Sequence, residues 1–320
     1  MDLSVIVCTY NRSKMLAEFL TSLQGCVVPA EIEWEILIVD NNSKDDTRAV
    51  VESFAKKFDG RLQYVFEERQ GQSIAANTGT ERARGRILAF TDDDLTLHVD
   101  WVAQIYKACQ EFDCAGVGGR IIPVWTCKQP DWIDLDGPFR HEGFGGIVRF
   151  EQGDVPKQLT ITATGANMAF KKGVFEKYGG FRTDLMRLKD LLGGQDTELC
   201  RRLMNVGERL YYAPEAIVYH PVEEFRTTRK YCKDFAFHYG RWTVRTGGMP
   251  EGVSLLFGVP RYLFPVALKF FLKWMLSSGI KRRFFYRLEL SKTFGQMVEG
   301  KRWLQNRAVQ QPVQGLDPAK

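Results

Sequence analysis

Three consecutive carboxylates, Asp92, Asp93 and Asp94, end the apolar run RILAFT (86–91). Adjacent like charges repel, so three acids at one point need a counter-charge. A divalent cation supplies one. Mg2+ and Mn2+ prefer oxygen ligands and are commonly shared between one or two carboxylates and phosphate oxygens. A solvated acidic turn, or a capping cluster ahead of the helix in DWVAQIY (100–106), accounts for the same letters equally well. Asp40 ends a second apolar run, EWEILIV (33–39). It suits either a capped turn in DNNSKDDT or an acceptor for a base N–H or a ribose hydroxyl. Asp196 in GGQDTELC (193–200) follows two glycines at a helix start. It reads as an acidic N-cap, or as a general base kept ionised by the helix end and reachable by substrate past the glycines. His220 closes AIVYH (216–220). It is structural unless its strand end meets the acids, in which case it is a metal ligand.

These residues need a scaffold that gathers them. LSVIVC (3–8), EWEILIVD (33–40), LQYVFE (62–67) and RILAFT are short apolar or β-branched runs that read as buried strands. Between them lie helical patterns. SKMLAEFLTSL carries an apolar stripe behind a Ser13 cap, SKDDTRAVVESFAKKF has Ser43 and Asp46 in capping-box spacing, and SIAANTGTERAR completes the set. Such alternation implies a parallel sheet with crossover helices, whose ligands bind outside the carboxyl ends of the strands. Thr9, Tyr10 and Asn11, then Asp40, Asn41 and Asn42, then Asp92–Asp94 all fall at those ends. GANMAF (165–170) is a further short strand. GGQDTELCRRLMNVG starts a helix at Asp196 or Thr197, buries Leu199 and Leu203, and stops at Gly207. Residues 120–160, rich in Gly, Pro and aromatics, read as loops and short strands covering the site. Their Trp125, Trp132, Phe139 and Phe144 are either core or sugar-stacking faces.

The chain has 320 residues, 44% of them hydrophobic and 26% charged, as in a globular protein. Seven cysteines without C-x-x-C spacing argue against a disulfide framework or zinc site and for thiols in a reducing compartment. The N-terminus has neither a basic leader nor a long apolar core, so the expectation is cytoplasmic. The net charge of +5 is unevenly spread. From residue 252 onward 12 Lys+Arg face 3 Asp+Glu, which is +9 and leaves −4 for the rest. That tail is rich in Leu, Phe and Trp, but its charge-free runs fall short of the roughly 20 residues a spanning helix needs. Arg261, Lys269 and Lys273 form a basic stripe, Phe264, Leu268, Phe271 and Met275 lie elsewhere on the helix, and KRRFFYR follows. This suits a helix in the membrane interface, its cations at anionic headgroups. Arg226, Arg229, Lys230, Arg241 and Arg245 read either as a solvated helix face or as contacts for a diphosphate or a lipid-linked phosphate.

Taken in order, VIVCTYNR (5–12), ILIVDNNSKDDT (36–47), GQSIAANTGTERARGRILAFTDDD (71–94), GANMAF and GGQDTELCRRL (193–203) resemble the family 2 glycosyltransferases of the GT-A fold. The resemblance covers roughly residues 3–225. It implies a Rossmann-like, mostly parallel α/β sheet flanked by helices in a domain of residues 1–225, with 226–320 left as a basic, amphipathic helical extension. It also implies an inverting transfer from a nucleotide diphosphate sugar, UDP being the expected nucleotide, to a hydroxyl of a glycan or a polyprenyl-linked acceptor in cell-surface polysaccharide or glycolipid synthesis.

By the same resemblance, Thr9, Tyr10, Asn11, Asp40, Asn42, Asp92 and Asp93 serve the nucleotide sugar. Asp94, then Asp92, with His220, would hold Mg2+ or Mn2+. Gly165, Ala166, Asn167 and Gln195 border the sugars, and Asp196 is the general base; Trp125 and Trp132 join the sugar neighbours only as aromatic faces of the loop-rich segment. Two positions depart from the family pattern. Gln195 stands where Glu is frequent, and Ala76 where many members have Arg. A sugar nucleotidyltransferase is the competing enzyme, but CTYNRSKM lacks its glycine-rich phosphate loop. A nucleic-acid binder using the basic tail fits that tail's aromatic and leucine content less well than a lipid surface does. A catalytically dead binding module conflicts with the retained Asp94 and Asp196. The expected setting is the cytoplasmic face of the cell membrane, with no nucleic-acid partner.

Overall fold

The computed structural model describes residues 1–140, 147–185, 193–250 and 252–310, with side chains as far as 303. These residues form two compact units. Residues 1–126, 147–185 and 193–222 make the first; 127–140, 223–250 and 252–310 make the second. The change of unit falls at 222/223, and the segment after Thr126, read above as a site cover, groups with the C-terminal helices.

The first unit begins with the expected alternation. Strand β1 (Leu3–Thr9), helix α1 (Ser13–Gln24), β2 (Trp34–Asp40), α2 (Thr47–Ala55), β3 (Leu62–Phe66), α3 (Gln72–Arg82) and β4 (Ile87–Thr91) follow in turn. Then come β5 (Thr96–Leu97), α4 (Trp101–Glu111), β6 (Gly116–Trp125), β7 (Lys157–Gln158), β8 (Asn167–Lys171), α5 (Gly173–Tyr178), α6 (Gln195–Asn205) and β9 (Leu210–Val222). Among the described residues nine strands share one sheet in the order β3-β2-β1-β4-β8-β6-β9-β5, with β7 also on β9. The first four are parallel, β8 runs antiparallel to β4 and β6, and β6 and β9 are parallel to each other. The sheet is therefore mixed rather than mostly parallel in its second half. β2 is buried at every position, and Leu16, Phe19, Leu20 and Leu23 of α1 are its apolar stripe in the core.

Register does the gathering. Thr9 of β1 pairs with Asp40 of β2, Val7 with Thr91 of β4, and Thr91 with Asn167 of β8. The carboxyl ends of three parallel strands and the amino end of an antiparallel one thus meet at one edge. Between β6 and β9 the register slips, from Gly119 opposite Ala213 to Arg120 opposite Ile217. That bulge places the last part of β9, with His220, beside β5 and the residues just after the triple acid.

The second unit contains α7 (Arg229–Gly247), the short hairpin β10 (Leu255–Leu256) and β11 (Val259–Pro260), α8 (Leu263–Leu276) and α9 (Ile280–Gln310). Helices α7 and α9 approach closely at two glycines. A Cβ on Gly240 would overlap the Lys292 carbonyl oxygen, and one on Gly295 would overlap that of Phe237. Arg241 and Arg245 of α7 both bond Glu299 of α9, at 2.9 and 2.5 Å. No described helix is long and apolar enough to cross a membrane.

Candidate active site

The repulsion among the three acids is answered from within the chain before any ion is considered. Arg12, just past β1, places one guanidinium nitrogen 2.9 Å from Asp93 Oδ1 and 3.2 Å from Asp94 Oδ2. The Thr9 hydroxyl donates to the other oxygen of Asp93 at 2.7 Å. Asp93 is thereby tied to β1, although burial still pushes its carboxyl up. Desolvation resists the charge on Arg12, but Asp93 and Asp94 outweigh it and raise its pKa. Arg12 was not singled out from sequence. The signal was there, a cation three residues after Thr9 at the end of a strand, but nothing in its spacing tied it to residues eighty positions away.

Asp92 has no such relief. Desolvation first, then the charges of Asp94, Asp93 and Asp196, push its carboxyl up to about 7, with only Arg12 opposing. Asp92, Asp94 and His220 each offer one ligand atom, and these atoms lie within 4.8 Å of one another. His220 is 2% exposed, and its Nε2 is 3.8 Å from Asp94 Oδ1. Its Nδ1 lies 3.1 Å from the Pro221 carbonyl oxygen, so a proton on Nδ1 leaves Nε2 with its lone pair toward the acids. Two carboxylates and an imidazole, turned toward one another, fit a divalent cation of the Mg2+ or Mn2+ kind.

Asp40 is both a turn cap and a member of the crevice. Its Oδ1 accepts from the Ser43 backbone N–H at 2.9 Å and its Oδ2 from the Tyr64 hydroxyl at 2.7 Å. Burial and that bond push the Tyr64 phenol up, so it stays a donor. Ser43 does not cap α2, as its spacing suggested. Its hydroxyl accepts from Asn11 N–H, and Asp45 accepts from the backbone of Thr47 and of Ser13. Ser13 is itself inside α1, whose N-cap is Arg12. Asn11 and Asn42 sit at φ of 51° and 67°, a region that Asn tolerates. Tyr10 is exposed beside them. Asn41, at the same strand end, accepts from Gly71 N–H at 2.7 Å and donates to the Arg69 carbonyl at 2.7 Å, fixing the turn into α3. In that turn Glu67, bonded first by Arg69, is held down at about 2. Ala76, the other departure, is buried in α3.

Asp196 lies in the first turn of α6 and is not its cap. That helix begins at Gln195 behind Gly194. Gly193 and Gly194 take φ of 66° and 110°, so the glycines serve the backbone turn. Asp196 Oδ2 accepts from Gly165 N–H at 2.7 Å. A Cβ on Gly165 would lie 3.1 Å from that oxygen, so glycine keeps the approach open. The helix end does not hold this acid at an ordinary value. Desolvation outweighs the N–H donors of Gly165 and Thr197, and the carboxyl is pushed up. Its charge in turn is felt by Asp92. Gln195 is buried, with an Oε1 that has no hydrogen-bond partner among the described residues.

Asn167, Ala166 and Trp132, among the expected sugar neighbours, also have contacts within the scaffold. Asn167 is fully buried. Its side-chain oxygen accepts from Trp101 Nε1, and its nitrogen donates to the carbonyls of Arg120 and Ala216 across the β-bulge. Its amide therefore staples the bulge that aims His220, with both polar atoms engaged by the scaffold. The Ala166 carbonyl accepts from Thr91 at 2.9 Å, joining β8 to the end of β4. Trp132 packs on Phe284 and under Arg229, 4.5 Å from the guanidinium to the ring centroid, inside the second unit. Phe139 likewise packs against Phe285 and Tyr286 there. Trp125 is half-buried at the end of β6, opposite Val222. Phe144 lies outside the described residues.

The family model described as glycosyl transferase family 2 matches residues 4–179. A glucosyl-dolichyl phosphate glucuronosyltransferase of Haloferax volcanii is 27% identical over 231 residues, 71% of each chain. Glycosyltransferase AglE of the same organism is 25% identical over 295 residues, 92% of this chain and 86% of that one. Among solved structures, a mannosyltransferase of Pyrobaculum calidifontis in complex with GDP-Man and Mn2+ superposes with a TM-score of 0.58 at 20% identity. That match covers 97% of this chain and 76% of the other, and shows the GT-A fold. The order of motifs, the mixed sheet with its acids at the strand ends and the family match over more than half the chain agree, and the chain belongs to glycosyl transferase family 2, a glycosyltransferase rather than a nucleotidyltransferase.

Proposed function

We propose that this glycosyltransferase moves a sugar from a nucleotide diphosphate donor, a UDP-sugar by the family resemblance, to a hydroxyl of a glycan or polyprenyl-linked acceptor, with inversion. The observation that carries the reading is the meeting, in one crevice, of a desolvated Asp196 tethered by Gly165 with the Asp92–Asp94–His220 group. Asp92, Asp94 and His220 would hold a divalent cation, which when bound neutralises charge building on the leaving diphosphate. Thr9, Tyr10, Asn11, Asp40, Asn42 and Asp93 border the nucleotide at the ends of β1, β2 and β4. Gly165, Ala166 and Gln195, with Trp125, border the sugars. The relative that acts on glucosyl-dolichyl phosphate supports a lipid-linked acceptor, and the neighbour solved with Mn2+ supports the cation.

In the transfer, an acceptor hydroxyl oxygen attacks the anomeric carbon and its proton passes to the Asp196 carboxylate. The bond from that carbon to the diphosphate oxygen breaks on the opposite side, and its electron pair leaves with the diphosphate. One displacement inverts the centre. The raised pKa makes Asp196 a stronger base than an ordinary carboxylate, while Gly165 N–H fixes its orientation. The second unit, basic and apolar at once, seats the enzyme on the cytoplasmic face of the membrane.

Asp196→Asn keeps the shape and removes the base. Transfer should fall by about 100-fold or more, while donor affinity, read by calorimetry with a non-transferable UDP-sugar analogue, stays within a factor of two or so. Transfer at near wild-type rate would remove Asp196 from this role.

A further inference from the structure

The second unit holds a cleft of about 470 Å³ between the end of α8 and the first turns of α9. Trp274 and Ser277, the connector Ser278–Gly279, and Ile280, Phe284 and three arginines, Arg229, Arg283 and Arg287, line it. No acidic side chain is in the lining. Several neighbouring cations of this unit are engaged by carboxylates. Arg226 pairs with Glu223, Lys230 with Asp234, Arg241 and Arg245 with Glu299, and Lys281 with Asp134. Arg229, Arg283 and Arg287 have no carboxylate partner among the described residues, and two of them rest on rings instead. Arg229 lies over Trp132, and Arg287 lies 5.7 Å from the Trp274 centroid. Aromatic faces hold a guanidinium in place without neutralising it. Arg283 and Arg287 are one helical turn apart on α9, so both face the same side. The first backbone N–H groups of α9 open at the same end, since Arg283 N–H already reaches back to the Gly279 carbonyl.

Beside this cationic cleft is apolar surface that no element among the described residues covers. Leu268, Phe271, Leu272, Met275 and Leu276 of α8 are exposed, Leu276 at 83%. We propose that the cleft binds the phosphate monoester or diphosphate head of a lipid whose chain lies along the exposed side of α8. Three unneutralised guanidiniums match a head carrying two or more negative charges better than the single charge of a phosphodiester, and Arg forks bind phosphate oxygens bidentately. A nucleic acid would carry the charge but leave the leucines and Phe271 in water. The inference rests on the lipid-linked acceptor proposed above and narrows it to a named site.

The full chain is mixed with phosphatidylcholine vesicles, alone or carrying either phosphatidylglycerol or a polyprenyl monophosphate at matched total charge, and bound protein is separated by flotation. Retention should be strongest on polyprenyl phosphate. Arg283→Gln/Arg287→Gln should weaken it by about tenfold or more there, with an unchanged melting temperature, because both arginines are exposed. Leu272→Glu/Leu276→Glu should weaken it on every vesicle. Inorganic diphosphate should compete poorly, lacking the chain. Equal retention by the arginine variant, equal binding to matched phosphatidylglycerol, or equal displacement by inorganic diphosphate or by a single-stranded oligonucleotide would each overturn the site. Asp196→Asn should float as the wild type does, so failure of the base assignment and failure of this site are read separately.

Discussion

At the residue scale the triple acid turns out to be compensated in two ways. Arg12 pairs with Asp93 and Asp94 and the Thr9 hydroxyl bonds Asp93, while Asp92 and Asp94 face His220 in the manner of a cation site. A sequence reading assigned the whole repulsion to an external ion, because Arg12 meets the acids only once β1 and β4 lie side by side. The division yields a prediction. Arg12→Met leaves three buried or half-buried acids facing one another and should destabilise the metal-free protein by about 1–3 kcal/mol. Saturating Mn2+ should recover most of it, giving a larger Mn2+-induced rise in melting temperature than in the wild type. An equal rise in both proteins would mean that Arg12 and the cation answer different charges. Asp196 shows the limit of motif logic in another way. A carboxylate in the first turn of a helix is expected to be held ionised, yet desolvation wins over the N–H donors and raises its pKa.

At the element scale, strands β1 to β4 and helices α1, α2 and α4 were legible because each carries a strong period or a continuous apolar run, whereas α3 has scarcely any amphipathic period. The caps were not. Ser13 and Ser43 have the right spacing, but Asp45 and Asn11 reach across from neighbouring loops and take the backbone groups first. Asn167 was legible as a residue of interest but not as a scaffold residue, since only the β6–β9 register slip shows that its amide holds three scaffold partners. The α7–α9 pair is held by a buried charge cluster. Burial alone would push Glu299 up, and the bonds from Arg245 and Arg241 overcome it and hold the carboxyl below its usual range. Glu299→Ala takes that carboxylate from two guanidiniums, one of them only 5% exposed, and should cost about 3–5 kcal/mol in urea unfolding. The pair Arg241→Met/Glu299→Leu should cost clearly less. If the single and the double change cost the same, the ion pair is not what the helices depend on.

At the scale of the whole molecule, the proposed cation and donor should act on stability together, because each completes the other's coordination. At a hundredfold excess over Kd a UDP-sugar with Mn2+ should add about 2.7 kcal/mol, and GDP- and dTDP-sugars should add less. EDTA should abolish the gain; a full shift in EDTA would remove the cation from donor binding. The ordered motifs and the charge asymmetry of the chain determined, without coordinates, the family, the α/β class, the acids at the strand ends and a basic, apolar C-terminal part, since these depend on local periodicity and composition. Tertiary structure alone decided that Arg12 joins the acids, that Asn167 staples the bulge behind His220, that Trp132 belongs with the C-terminal helices, and that three arginines of that unit stay unneutralised around one cleft. The physical reason is common to all four. Each depends on which groups become neighbours across tens of residues, and partner choice over that distance is set by strand register and helix packing, which no short window of sequence contains.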